Sequence, residues 1–489
     1  MDITVPRPFV RKHGAAKIGA TRAAGSRIRA MRLNTVAAVG LWATLWAGYN
    51  TGLWYINDPH FPADTLQLVH GLRAFAPLLG AWVALCLMLA RIGQLSEWVL
   101  SRQWIISPLG LLLLYAIVGL ASSAFVSVEP EDAMYWGGVY LSIVMVLLAI
   151  VPVEDPLLDL RRVMEFNWIV DSLLTLSLLG ALPFLGKGVA AQMEGNPMNM
   201  RAYGGNYGET LGMASTRNTG FARYAAVAGI VALGRVWEGK PAKRLFWGAL
   251  LLVSAYALVL SNGRTEILAF IVSAFVVLIP MKKRRAAFIV MGAAAAMLLG
   301  LVGFYDKFFR YITRSGHIDT NVVTMSGRTV TWEEGWKLFV QSPLWGFGFQ
   351  ADRYYLGQHL HNAYLHVFVQ AGILGGGAIL LALMIVWLLT IKYFFVRPPK
   401  DRSLVPPEIP GVLLFVTISS VTESTFAYFS AAWLLSAPIF PYVLALDRQI
   451  RRSRALDALQ RNRELPLTRL RVRGRGPANL PGAAPPIPG

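Results

Sequence analysis

The sequence predicts an all-α, polytopic integral membrane protein with about 12 transmembrane helices and both termini on the cytoplasmic side. Hydrophobic residues make up 55% of the 489 positions and charged residues only 15%, with a mean hydropathy of +0.49, outside the range of soluble domains. Apolar runs recur along most of the chain, each long enough to cross a hydrocarbon core of about 30 Å as a helix. Helices satisfy their own backbone hydrogen bonds, which a lipid-exposed segment must do.

The runs place spans near 33–56, 73–91, 104–122, 135–152, 166–187, 219–235, 243–261, 264–281, 286–305, 362–391, 410–423 and 427–446. The tenth is longer than one crossing needs and holds Gly372, Gly375, Gly376 and Gly377, so it is expected to begin as a short tilted piece. Basic residues are retained on the cytoplasmic side. They crowd the segment before the first span (Arg7 to Arg32) and the even-numbered turnarounds, including Lys282-Lys283-Arg284-Arg285. This leaves a basic tail at 1–32, a membrane domain at 33–446 and a second basic tail at 447–489, ending in a Pro/Gly-rich stretch that cannot build a core.

The net charge of +19 follows this topology instead of gathering on one domain. It therefore points to anionic lipid headgroups and away from nucleic acid. The first 32 residues lack the pattern of a cleavable signal, so the first span is expected to be an uncleaved anchor. The single cysteine, Cys86, excludes an intramolecular disulfide and argues against a thiolate metal cluster. The spans show no internal repeat, which weakens a transporter reading.

Two external segments break the run of tight turnarounds. One, near 188–218, is rich in Gly, Asn and Met and carries Arg201, Tyr203, Tyr207 and Arg217; the other, about 306–361, is the largest loop. Within the second, Trp332, Trp336 and Phe339 recur at helical spacing, which predicts an amphipathic helix over about 328–340 on the membrane face. Pro343 and Gly346-Phe347-Gly348 then end it.

External Lys and Arg are scarce, yet Arg217, Arg223, Arg264 and Arg328 all stand at predicted helix mouths. Together they suggest an anionic ligand, because the guanidinium fork donates two parallel hydrogen bonds to phosphate oxygens. Taken singly, each also reads as an arginine snorkelling to headgroups. His361 lies where the long loop re-enters the membrane, followed by Asn362. A neutral imidazole there can serve as a general base, or simply as a structural hydrogen-bonding group. His359, His361 and His366 match no strong zinc pattern, and carboxylates look sparse around them, so no metal is expected. Trp332 and Trp336 read as interface anchors or as sugar-stacking rings.

At these residues the sequence resembles the O-antigen ligase and O-antigen polymerase superfamily, bacterial envelope glycosyltransferases of the GT-C type. Arg264-Thr265-Glu266-Ile267-Leu268 matches the family's arginine-leucine motif at the start of a span. His361-Asn362, followed by Gly372 and Gly375, matches its histidine motif after the large loop. Arg328 through Trp332 and Pro343 through Gly348 are similar to the family's loop sequence. The resemblance implies a metal-independent, cofactor-free glycosyl transfer at the periplasmic face of the bacterial inner membrane. The donor would be a glycan on a polyprenyl (undecaprenyl) diphosphate and the acceptor, for a ligase, a sugar of lipid A-core. Arginines would hold the diphosphate and His361 would activate the acceptor hydroxyl, with no pair of catalytic carboxylates evident. A polymerase or a related oligosaccharide ligase would share this chemistry. A glycolipid transporter or flippase would instead depend on ionisable groups deep in the spans, of which Asp171 is a candidate.

Overall fold

The computed structural model describes residues 35–49, 63–90, 107–151, 156–185, 218–237, 240–261, 263–279, 328–395 and 405–473, together with Gly292. The described secondary structure is helical throughout. The first half contributes α1 (Thr35–Gly48), α2 (Ala63–Ala90), α3 (Pro108–Phe125), α4 (Pro130–Ile150) and α5 (Pro156–Leu185). Then come α6 (Asn218–Arg235), α7 (Pro241–Leu260), α8 (Arg264–Leu278), α9 (Arg328–Gln341) and α10 (Ala351–Leu356). The chain continues with α11 (Ala363–Phe395), α12 (Glu408–Ser419), α13 (Ala431–Ser436) and α14 (Ile439–Arg473).

Six of these are long and apolar enough to cross a membrane: Gly71–Ala90, Pro108–Phe125, Pro130–Ile150, Pro156–Gly180, Pro241–Leu260 and Ala363–Phe394. Thr35–Gly48 and Glu408–Ser419 are shorter apolar helices. The expected spans at 219–235 and 264–281 are helices as well, over Asn218–Arg235 and Arg264–Leu278. The ninth expected span (286–305) apart from Gly292, the whole segment 306–327 and the tail at 1–32 lie outside the described residues, as do Tyr203, Tyr207 and Arg217. The last expected span is interrupted: α13 ends at Ser436, and α14 begins at Ile439 after Pro438.

Starts are set by local chemistry. Ser107 accepts a hydrogen bond from the backbone of Gly110 and Pro108 follows it, so the first turn of α3 is capped and pre-set. The same Pro-first pattern opens α4 and α7. A continuous core joins most of the bundle, with α6 packed among α5, α7, α8 and α12, and α11 packed along α3.

The expected irregularity in the tenth span is a true break. Ala371 (φ −132°) and Gly372 (φ 57°) leave helical geometry inside α11. A break frees carbonyls before it and N–H groups after it, and each must find a partner. The loop at 343–348 supplies them. Phe347 N donates to Val369 O (2.9 Å) and Gly348 N to Gln370 O (2.9 Å), while Ile373 N donates to Pro343 O (2.8 Å). On its other side this loop is tied to α3, where Ser122 donates to Trp345 O (2.5 Å) and Ser123 Oγ accepts from Phe349 N (2.9 Å). Phe349 then inserts between α3 and α4, where a Cβ on Gly119 would lie 2.6 Å from its ring and one on Gly137 2.8 Å.

A Cβ on Gly372 would meet the Leu344 carbonyl oxygen at 2.2 Å, on a backbone that side chains rarely adopt. Gly372→Ala is therefore expected to destabilise the protein by at least about 2 kcal/mol. Gly377→Ala, with nothing within 4 Å of its new methyl, should be neutral or stabilising by up to about 1 kcal/mol. Thermal unfolding of the two detergent-solubilised variants checks the pair; equal melting temperatures would refute the role given to Gly372.

Candidate active site

The predicted amphipathic helix exists as α9, and its residues divide between a buried and an exposed face. Thr331, Gly335, Leu338 and Phe339 are buried, whereas Trp336 is 57% exposed. A Cβ on Gly335 would lie 2.3 Å from the Leu360 side chain, so the small residue lets α9 press on the segment just before α11. Trp332 completes that contact, donating from Nε1 to Leu360 O (2.9 Å). It supports the backbone beside His361, while Trp336 contacts Phe339, ring centroids 5.2 Å apart, on the outer side.

His361 does not begin the helix; Asn362 caps it, its side chain accepting from Leu365 N (3.0 Å). The first helical residue, Ala363, donates its N–H to Ser420 O (2.9 Å) and Glu423 O (3.2 Å) in the bend after α12. The head of α11 is thereby anchored to this bend. His361 itself sits in the left-handed region at φ 50°, a conformation costing a non-glycine residue about 1–3 kcal/mol unless its surroundings enforce it.

Three of the predicted residues converge, and they do so on a residue that sequence reasoning did not single out. The Glu423 carboxylate accepts from Arg328 Nη2 at 3.1 Å and lies 3.8 Å from Arg223 Nη1 and 3.5 Å from His361 Nδ1. Glu423 is almost wholly buried, while its three partners keep partial exposure. Arg223 is steadied by its own helix, donating from Nε to Thr219 O (3.1 Å). Arg264 opens α8 half-buried, next to Gly263, whose Cβ would touch Ala222, the neighbour of Arg223. The start of α8 thus abuts the same end of α6. Two residues on, Glu266 is buried, with Oε1 lacking a hydrogen-bond partner, and its charge acts on Arg223 and Glu423. The site therefore contains two buried carboxylates where the sequence made them look sparse. A partly enclosed cavity beside Arg223 is lined by Tyr49, Tyr224, Tyr428 and Ser430, with Tyr224 donating to Tyr49 at 3.0 Å.

A second cluster adjoins the first. The Asp352 carboxylate contacts His359 Nδ1 (2.8 Å), Leu360 N (3.0 Å) and His366 Nε2 (3.1 Å). Burial alone would raise the pKa of Asp352, but His366 and the hydrogen bond from His359 hold it well below the usual carboxylate range. Burial lowers the pKa of His359 to about 4 despite its aspartate partner, so the pair is a carboxylate with a neutral imidazole. One donor atom from each of Asp352, His359 and His366 lies within 4.8 Å of the others. The histidines thus have a carboxylate after all, and these three form a group close enough to share an ion; His361 is not part of it.

This is a helical membrane protein in which partly exposed arginines and a histidine gather on a buried carboxylate. Residues 248–381 match the family model described as O-antigen ligase. The match contains Arg264, Arg328 and His361 and bears out the resemblance seen in the motifs. At the level of class, the match implies glycosyltransferase-like activity of O-antigen ligase or polymerase type. No curated protein matches the chain.

Proposed function

We propose that this protein is an O-antigen ligase. It transfers polysaccharide from an undecaprenyl diphosphate carrier to a sugar hydroxyl of lipid A-core, at the periplasmic face of the inner membrane and without a metal. The observation carrying this reading is the convergence of Arg223, Arg328 and His361 on Glu423. Three arginines, Arg223, Arg328 and Arg264, stand at this end of α6 against Glu423 and Glu266, so a polyanionic diphosphate entering beside them still meets net positive charge. Aimed cations of this kind stabilise the charge that grows on a diphosphate leaving group.

Nδ1 of His361 faces the Glu423 carboxylate at 3.5 Å, which leaves Nε2 as the atom for the acceptor. The acceptor hydroxyl gives its proton to His361 as its oxygen attacks the anomeric carbon. The anomeric C–O bond breaks, and its electron pair leaves with the diphosphate. The cavity beside Arg223 offers room next to the phosphate-binding groups. For a transporter, Asp171 would be the central group: it is fully buried in α5, and neither carboxylate oxygen has a hydrogen-bond partner.

Deleting the gene in the native host tests these readings. The glycan on lipopolysaccharide and that on the polyprenyl carrier are analysed separately. Bare lipid A-core with long polymer accumulating on the carrier is expected. A core bearing a single repeat unit would instead establish a polymerase, and carrier-linked glycan trapped on the cytoplasmic side a flippase.

A further inference from the structure

We infer that Asp352 is a positioning residue for His361, acting through His359 and the backbone of Leu360; the inference rests on the reading of His361 as the base of a transferase. Asp352 belongs to α10, on the far side of the loop from Glu423, and the proposed mechanism does not use it. Its carboxylate nevertheless receives hydrogen bonds from His359 Nδ1 (2.8 Å) and Leu360 N (3.0 Å), the two residues directly preceding His361. The His359 ring in turn meets the His361 ring edge to face, centroids 4.7 Å apart. The left-handed turn at His361 is thus fixed from one side by Asp352 and from the other by the Asn362 cap.

The network also closes on the opposite wall of the site. His366 faces Asp352 at 3.1 Å and Gln370 at 2.9 Å. Gln370 accepts from the Tyr115 hydroxyl (2.5 Å), which also reaches Ala427 O (2.9 Å), in the bend that carries Glu423. A carboxylate suits this node because it only accepts hydrogen bonds, on two oxygens. The bonds from His359 and Leu360 both fall on Oδ2 while Oδ1 faces His366, so an asparagine lacks the charge that ties all three to this node. His361 Nδ1 lies 3.5 Å from Glu423 without a hydrogen bond among the described residues, so its ring direction depends on what holds the turn. A shift of about 1 Å in a catalytic group costs on the order of 100-fold in rate.

The experiment uses the full-length protein in proteoliposomes, with a polyprenyl-diphosphate glycan donor and a lipid A-core acceptor. Asp352→Asn is expected to lower kcat roughly 100-fold with the KM for donor unchanged, and to have no further effect on the residual rate of His361→Ala. If Asp352→Asn does not accumulate in the membrane, His359→Ala carries the same test, since it leaves the bond from Leu360 N to Asp352 in place. A wild-type rate in the positioning variant, or an equal fractional loss with and without His361, would overturn the inference while leaving the transferase reading intact. One equivalent of a divalent metal in the wild-type protein, lost on Asp352→Asn, would also overturn it, because the three side chains would then be ligands. A wild-type protein that transfers nothing removes both readings together.

Discussion

Replacing Glu423 by alanine is expected to destabilise the ligand-free protein by about 3–5 kcal/mol, the usual cost of stripping one partner from a buried ion pair. Glu423 is 4% exposed, and three separate elements aim charged or chargeable groups at it: α6 through Arg223, α9 through Arg328 and the loop before α11 through His361. Without the carboxylate, the two guanidinium groups lose their shared partner and keep, among the described residues, only the more distant Glu266 as a counter-charge. Glu423→Gln keeps the volume and one acceptor for Arg328, so its loss should be smaller. If the arginines serve a diphosphate, the damaged variant should also gain more from an added polyprenyl diphosphate than the wild type does. Anything binding only the folded state stabilises it, and here the ligand supplies the missing negative charge. Thermal unfolding in detergent, with and without that lipid, reads both effects. A melting temperature unchanged by Glu423→Ala would show that the arginines do not depend on this counterion.

The sequence exposed those parts of the site that follow from local pattern. Apolar run lengths gave the helices, and Arg264, Arg328 and His361 were legible because charged groups at the mouths of apolar helices are conspicuous. Gly372 was legible as an irregularity because four glycines in six positions loosen a helix. Glu423 was not, since it stands 95 residues from Arg328, in a bend whose Ser, Thr and aromatic residues carry no period. Only tertiary packing brings it to the arginines. Asp352 escaped for a related reason: its partners His359 and His366 lie within one loop and helix start, but the turn at His361 that folds them together has no signature of its own. The tryptophan stripe of α9 shows a different limit. The helical period was legible, and Trp336 stays exposed as an interface anchor would; what the pattern did not reveal is that the face packed on Leu360 is the one carrying Gly335. A composition-based stripe cannot see that a small residue is needed where two elements touch.

His361→Ala is expected to abolish glycan transfer, a loss of about 10²–10⁴-fold if the imidazole acts only as a general base, while the protein still reaches the membrane and binds its donor. Binding should survive because the proposed phosphate ligands are the arginines. Removing His361 also releases Glu423 to pair more fully with them, which would weaken donor affinity modestly without eliminating it. Alanine at this position also inherits the left-handed backbone of His361, so part of any effect could come from a relaxed turn. His361→Asn separates the two causes: asparagine tolerates that conformation better than most residues but cannot take a proton near neutral pH. An asparagine variant as inactive as the alanine variant, with normal membrane levels and near-normal donor binding, assigns the loss to proton transfer. An asparagine variant that recovers most of the wild-type rate would mean that His361 matters for the shape of the turn, and the base would have to be sought among the buried carboxylates, with Glu423 the first to test.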